Sequence, residues 1–120
     1  MVNDCVAASN LQELGESAVA EFDRRIAHIP RELCAAFLLE AIRLEDELLI
    51  IYKMVALCVR QELDLENVAA SWGFMVEMCD AFAERLSQLK TAQPSCGAEP
   101  YYDRILDLRN KCRRLQEMHL

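Results

Sequence analysis

The chain has 120 residues, and its six cysteines are the side chains with the most distinctive chemistry. Closely spaced thiolates bind soft metals or exchange disulfides, but no C-x-x-C pair occurs here. Four of the cysteines fall on the apolar helix stripes described below: Cys34, Cys58, Cys79 and Cys112. Cysteine packs in cores as a small hydrophobe, so we expect packing, with a thiol or metal sensor as an alternative. Cys5 and Cys96 are predicted to be the most reactive towards alkylating reagents.

Helix geometry limits which thiols can meet. A hairpin turn near residue 63 would place Cys58 level with Val68, and Cys79 lies eleven residues further on, roughly 16 Å away. Cys58 and Cys79 are then too far apart for a shared metal or a disulfide. Cys79 and Cys112 would reach similar heights only if the loop at residues 90–100 turns tightly.

The segment RRLQEMH, residues 113–119, places four residues between Arg114 and His119. It resembles the R-x4-6-H motif of HEPN-type helical ribonucleases, in which an arginine and a histidine from a dimer-facing helix form a composite RNase site. The resemblance implies that Arg114 steadies the scissile phosphate and that His119 acts in acid–base chemistry. His119 is the second-last residue, whereas the family motif lies within a helix. A dimeric helical ribonuclease is therefore an alternative function.

Carboxylates and histidines give no metal pattern. Helical di-iron bundles use Glu-x-x-His motifs on inward faces, and neither His28 nor His119 follows a glutamate by three residues. The central acids lie mostly off the apolar stripes and are interpreted as a solvated face: Glu40, Glu45, Glu47, Glu77, Asp80 and Glu84. A glycine-rich phosphate loop and a nucleophile–histidine pair are also missing from the sequence. We predict no enzyme activity and no cofactor.

Composition and charge restrict the partners. The net charge of −7 argues against DNA binding, because phosphate contacts require clustered positive charge. The first ten residues, MVNDCVAASN, lack the basic and apolar regions of a signal peptide. No apolar run reaches the roughly 18 residues that span a membrane. We therefore expect a cytoplasmic protein with free thiols that does not enter a membrane.

Two heptad stripes indicate two long helices. The first helix is predicted over 31–61 and the second over 64–90, with Asp64 as a cap. The stripe of the first is Cys34, Phe37, Ala41, Leu44, Leu48, Ile51, Val55 and Cys58; that of the second is Leu65, Val68, Trp72, Met75, Cys79, Phe82, Leu86 and Leu89. Long helices joined by about three residues must run antiparallel.

Two shorter helices, at 9–28 and 100–118, flank this pair. The fold class is therefore all-α: a single domain over 1–120, forming an antiparallel up-down-up-down four-helix bundle with a long central hairpin. A single extended hairpin that dimerises as a coiled coil is the main structural alternative.

The run LLIIYKMVALCV, residues 48–59, contains one charged residue, Lys53. Ile50, Met54 and Leu57 lie opposite the apolar stripe, so this helix is apolar on both sides. Acidic residues before the run and Arg60 after it argue against a membrane. We predict that these three residues form an interface with a protein partner or with a second copy in a homodimer; ordinary burial is the alternative.

The last predicted helix has a different charge from the rest of the chain. Four bases, Arg109, Lys111, Arg113 and Arg114, fall close together. They form a predicted charged docking surface for an acidic partner or RNA, or they match the helix dipole and pair with the acidic hairpin. The leading function hypothesis is a non-enzymatic interaction module, an adaptor, regulator or chaperone, that binds through its apolar helix face.

Overall fold

The structure is a computed structural model that describes residues 9–119. It contains four α-helices and one short 3-10 helix: α1 (Ser9–Ile26), α2 (Cys34–Gln61), α3 (Leu65–Ala92), the 3-10 helix Pro94–Cys96, and α4 (Glu99–Glu117). Residues 9–119 include no β-strand. The prediction of an all-α helical bundle is confirmed.

The helix ends follow local hydrogen bonding. Helix α2 begins at Cys34, three residues after its predicted start, because the Leu33 N–H donates to the Pro30 carbonyl at 3.0 Å and closes a separate turn. The Gln93 side chain donates to the carbonyl of Arg31, which holds this turn against the end of α3. Asp64 caps α3 as predicted: its carboxylate accepts the Glu66 N–H at 2.9 Å.

The connection between α3 and α4 is short and partly ordered by a 3-10 helix. Gly97 ends that helix with φ +82°, a left-handed conformation that favours glycine because other residues carry a Cβ. Pro100 lies in the first turn of α4, where the missing N–H costs no hydrogen bond.

The two predicted stripes form most of the core. Both are buried except at their ends, where Cys34 and Cys58 are half-buried and Leu65 is exposed. Helix α3 buries a second row of smaller side chains, Ala69, Val76 and Ala83, because it packs against all three other helices.

The helices form an elongated and flattened body with Cα extents of 51 × 24 × 16 Å. Helices α2 and α3 each pack against α1 and α4, whereas α1 and α4 do not approach each other closely within residues 9–119. Neighbouring helices therefore cover the inner half of α2 and leave its outer half exposed.

Candidate functional site

The exposed outer half of α2 carries the largest concentration of uncovered apolar side chains. Ile50 is 52% exposed, Met54 42% and Leu57 58%. We define the outward face of α2 by seven exposed residues: Leu39, Asp46, Leu49, Ile50, Lys53, Met54 and Leu57. Single exposed apolar residues are normal on a protein surface, but a row on one helix marks a candidate binding surface.

The helical period explains why this face points outward. Leu48, Ile51 and Val55 are buried, and Ile50 lies two residues from Leu48, a rotation of about 200° around the helix axis. Side chains of the two faces therefore point in nearly opposite directions. The same residues that anchor α2 in the core force Ile50 into solvent.

Two opposite charges lie within the outward face. Asp46 and Lys53 are both exposed, and they are seven residues apart, which is roughly 10 Å along the helix. In the part of the chain that the structure describes, neither forms an ion pair. Both charges are therefore available to a partner.

A groove between α2 and α4 borders the outward face at Leu49. It has a volume of about 360 Å³ and is lined by Glu45, Leu48, Leu49, Arg104, Ile105, Asp107, Leu108 and Lys111. Arg104 donates to both carboxylate oxygens of Glu45, at 2.6 and 3.1 Å, and this pairing raises the Arg104 pKa. Arg104 and Glu45, at the edge of the groove, are thus already paired with each other across the two helices.

The basic side chains of α4 divide into two groups. Arg109 pairs with Asp80 on α3, and the ammonium of Lys111 lies 5.2 Å from the centre of the Tyr52 ring on α2. These two residues hold α4 against the long helices. Arg113 and Arg114 are exposed and form no ion pair within residues 9–119. Recruitment of an acidic partner by the four bases stays a prediction.

The structure brings one pair of thiols together. Cys79 on α3 and Cys112 on α4 are completely buried, and their thiols interact with each other. The interaction with Cys112, together with burial, raises the pKa of the Cys79 thiol well above its usual value, whereas the interaction with Cys79 lowers the pKa of Cys112. The pair is enclosed in the core, where an external reagent does not reach the thiolate on which reactivity depends.

Cys96 does not lie in an exposed segment, which is the position on which its predicted reactivity rested. Cys96 is only 5% exposed, because the 3-10 helix that carries it packs against α2 and α3. Cys5 lies outside the described residues. Within residues 9–119, no three histidine, cysteine or acidic side chains lie close enough to hold a metal ion.

Arg114 and His119, the residues that resemble the HEPN-type ribonuclease motif, lie at the end of α4. Arg114 is exposed on the last helical turn, and His119 follows two residues after the helix ends at Glu117. The His119 Nδ1 atom lies 2.7 Å from the carbonyl oxygen of Leu115, so one ring nitrogen is engaged with the backbone. The other members of a composite site would have to come from a second copy, and this function stays a prediction.

The sequence identified Ile50, Met54 and Leu57 as surface candidates but missed the other four residues of the outward face: Leu39, Asp46, Leu49 and Lys53. The available signal was the regular seven-residue step from Leu39 to Asp46 and from Asp46 to Lys53. Because two of these three positions carry charged residues, apolar periodicity alone does not reveal this row.

None of the helices described, over residues 9–119, combines the length and the apolar character needed to cross a membrane. Comparisons with models of protein families, with curated protein sequences and with solved structures found no match.

Proposed function

We propose that this chain is a single-domain, non-enzymatic helical interaction module that binds a protein through the outward face of α2. The observation that carries the proposal is the row of large apolar side chains on one helix, of which Ile50 and Leu57 are more than half exposed. Amphipathic helix faces are a common means of protein recognition. An exposed aliphatic row of this kind is costly in water and stabilises a complex when it is buried.

We further propose an antiparallel up-down-up-down bundle, with the α2–α3 hairpin at its centre. Contacts between consecutive helices support this topology, because in each pair the residue numbers rise along one helix and fall along the other. The pairs are Gly15/Ile51 and Arg25/Glu40, Arg31/Gln93 and Tyr52/Trp72, and Asp80/Arg109 and Lys90/Tyr102. The two 3-4 stripes are those of coiled-coil-like packing.

We also propose that the module acts in the cytoplasm. The five cysteines in the part of the chain that the structure describes are all free, as is usual for proteins in a reducing compartment.

In-cell photo-crosslinking tests the proposed function. A photoreactive phenylalanine analogue is placed at Ile50, and a matched control at Ser87, an exposed polar position on α3. We expect a discrete crosslinked protein adduct at Ile50 after irradiation in the native host, and none at Ser87. The proposal is overturned if position 50 gives no adduct, or gives the same diffuse products as position 87.

A further inference from the structure

We infer that the partner of the outward face of α2 is a second copy of this chain, bound antiparallel about a twofold axis midway between Leu49 and Ile50. In this arrangement Asp46 of each copy faces Lys53 of the other. The inference rests on the proposed function, since it uses the same surface, and it adds the identity, direction and register of the partner.

The positions of the two charges carry the inference. In a twofold interface, a contact from one residue to another is repeated in reverse, so facing residues must lie equally far from the axis. Asp46 and Lys53 are each three and a half residues, about one helical turn, from the point between Leu49 and Ile50. A single twofold axis at this point therefore allows both ion pairs, from Asp46 of each copy to Lys53 of the other. It also places Leu49 of each copy against Ile50 of the other.

Residues further from the axis are consistent with the same register. Seven and a half residues from the axis, half-buried Ile42 faces exposed Leu57, which extends the apolar contact by about two helical turns on either side of the axis. The nearby bases are also accommodated, because Arg43 faces Ala56 and Arg60 faces Leu39. No two like charges meet along this stretch of α2.

The opposite direction is disfavoured by the same charges. In a parallel, in-register pair, Asp46 would face its own copy and Lys53 would face its own copy. Like charges across an interface are repulsive and suppress that mode of association. The arrangement of one acid and one base about an apolar centre therefore makes the face complementary to itself only when the helices are antiparallel.

Charge reversal tests the direction and register. The molar mass of the full chain is measured by light scattering after size-exclusion chromatography over a dilution series. Asp46→Lys alone and Lys53→Asp alone each create two like-charge contacts, and we expect the dissociation constant of the dimer to rise about tenfold. The combination Asp46→Lys with Lys53→Asp restores both ion pairs with exchanged signs, and dimer affinity should return close to the original value.

Glu84→Lys is the matched control, because Glu84 is an exposed acid on α3 away from the face. It should leave the dissociation constant of the dimer unchanged. Circular dichroism at a wavelength sensitive to α-helix checks that each variant is folded. Failure of the double variant to recover affinity, or a chain that is monomeric at every concentration, overturns the inference.

A zero-length carbodiimide crosslink provides an independent readout on the unmodified chain. Asp46 and Lys53 are too far apart on their own helix to be joined directly, so a crosslinked peptide containing both must link two copies. Mixing light and ¹⁵N-labelled chains confirms the intermolecular origin. A dimer that gives no such crosslink contradicts the register.

The two proposals fail in different ways. If the purified chain is monomeric and the photoreactive group at Ile50 captures a different protein, the interaction surface stands and the self-association is wrong. If position 50 captures nothing, both proposals fail together.

Discussion

The guanidinium Nε of Arg25 on α1 lies 3.0 and 3.1 Å from the two carboxylate oxygens of Glu40 on α2. Glu40 is only 5% exposed, and Arg25 also donates to Glu21 at 2.9 Å. Burial is the largest single effect on this guanidinium and disfavours its charged form, but the hydrogen bonds that Arg25 donates to Glu40 and Glu21, together with the charges of these carboxylates, raise the Arg25 pKa. The pair joins α1 to the central helices.

Removal of Arg25 should therefore destabilise the fold. Arg25→Met leaves the Glu40 carboxylate buried without its main partner, and we expect the free energy of unfolding to fall by about 2 kcal/mol in urea titrations. Arg24→Met is the control, since the exposed Arg24 pairs with Glu21 alone among residues 9–119, and it should change stability by less than about 0.5 kcal/mol. Combining Arg25→Met with Glu40→Met should recover most of the loss, because it removes the buried carboxylate together with its partner. An equal loss in the single and double variants would contradict this account.

Two helical glycines should respond oppositely to alanine. A Cβ at Gly73 would lie 2.7 Å from the amide nitrogen of Gln116, the mobile end of a flexible side chain. Gln116 can move aside, so Gly73→Ala should raise the unfolding free energy by about 0.5 kcal/mol through helix propensity. A Cβ at Gly15 would collide with the sulfur of Met78 and lie 3.7 Å from Ile51.

Because Ile51 is buried in the core and Met78 packs against it, the contact at Gly15 has less room to relax. Gly15→Ala should lower the unfolding free energy by about 1 kcal/mol through overpacking. Thermal and urea unfolding of both variants measure the contrast. Stabilisation by both substitutions would show that Met78 adapts as easily as Gln116.

The long helices were predictable because their core positions repeat every three and four residues without interruption, so a single face had to be buried. The late start of α2 was not predictable from local sequence. The turn before it is held by a hydrogen bond from the Gln93 side chain to the Arg31 carbonyl, and these two residues are 62 positions apart. Burial of Cys96 was missed for the same reason: a polar, proline-containing segment resembles an exposed loop until its contacts with α2 and α3 are known.

The candidate site was predictable only in part. Ile50, Met54 and Leu57 follow from the helical period, because they lie opposite the buried stripe. The roles of Asp46 and Lys53 depend on which side of α2 its neighbours leave uncovered, and that is decided by the packing of α1 and α4 rather than by local sequence. The contact between Cys79 and Cys112 likewise depends on how tightly the chain turns before α4.

Glu47 should make stability depend on pH. Burial is the largest effect on this carboxyl and raises its pKa above the ordinary value of 4.5; Glu21 and Glu40 add to the increase, while Arg25 and Arg43 oppose it. The folded chain therefore retains the proton at pH values where the unfolded chain has released it. The contribution of Glu47 to stability is complete below pH 4.5 and is lost as the pH rises through the folded pKa.

Replacement of Glu47 by uncharged glutamine should remove the loss of stability that occurs as the pH rises. Glu47→Gln should raise the midpoint temperature of unfolding at pH 7, and its advantage over the unmodified chain should shrink towards pH 4. Glu77→Gln, at an exposed position on α3, is the control for a general change in net charge. If the two variants have parallel pH profiles, desolvation of Glu47 has no role in the stability of the fold.

The buried thiols should be protected from alkylation in the folded chain. Cys34 and Cys58 are half-buried, whereas Cys79, Cys96 and Cys112 are buried. Reaction with N-ethylmaleimide requires an accessible thiolate. The three buried cysteines therefore react only when the structure opens locally or globally. We expect labelling of these three cysteines to be slower than that of Cys58 by at least about tenfold.

Mass spectrometry of peptides taken at successive times measures the five rates, and labelling in guanidinium chloride supplies the reference in which protection is absent. Cys79 should react most slowly, because it is fully buried and its raised pKa further reduces the thiolate fraction. Rapid labelling of Cys96 in the folded chain would show that the 3-10 helix detaches from α2 and α3. Rapid labelling of Cys79 together with Cys112 would instead show separation of α4 from α3, since each thiol is covered by the opposite helix.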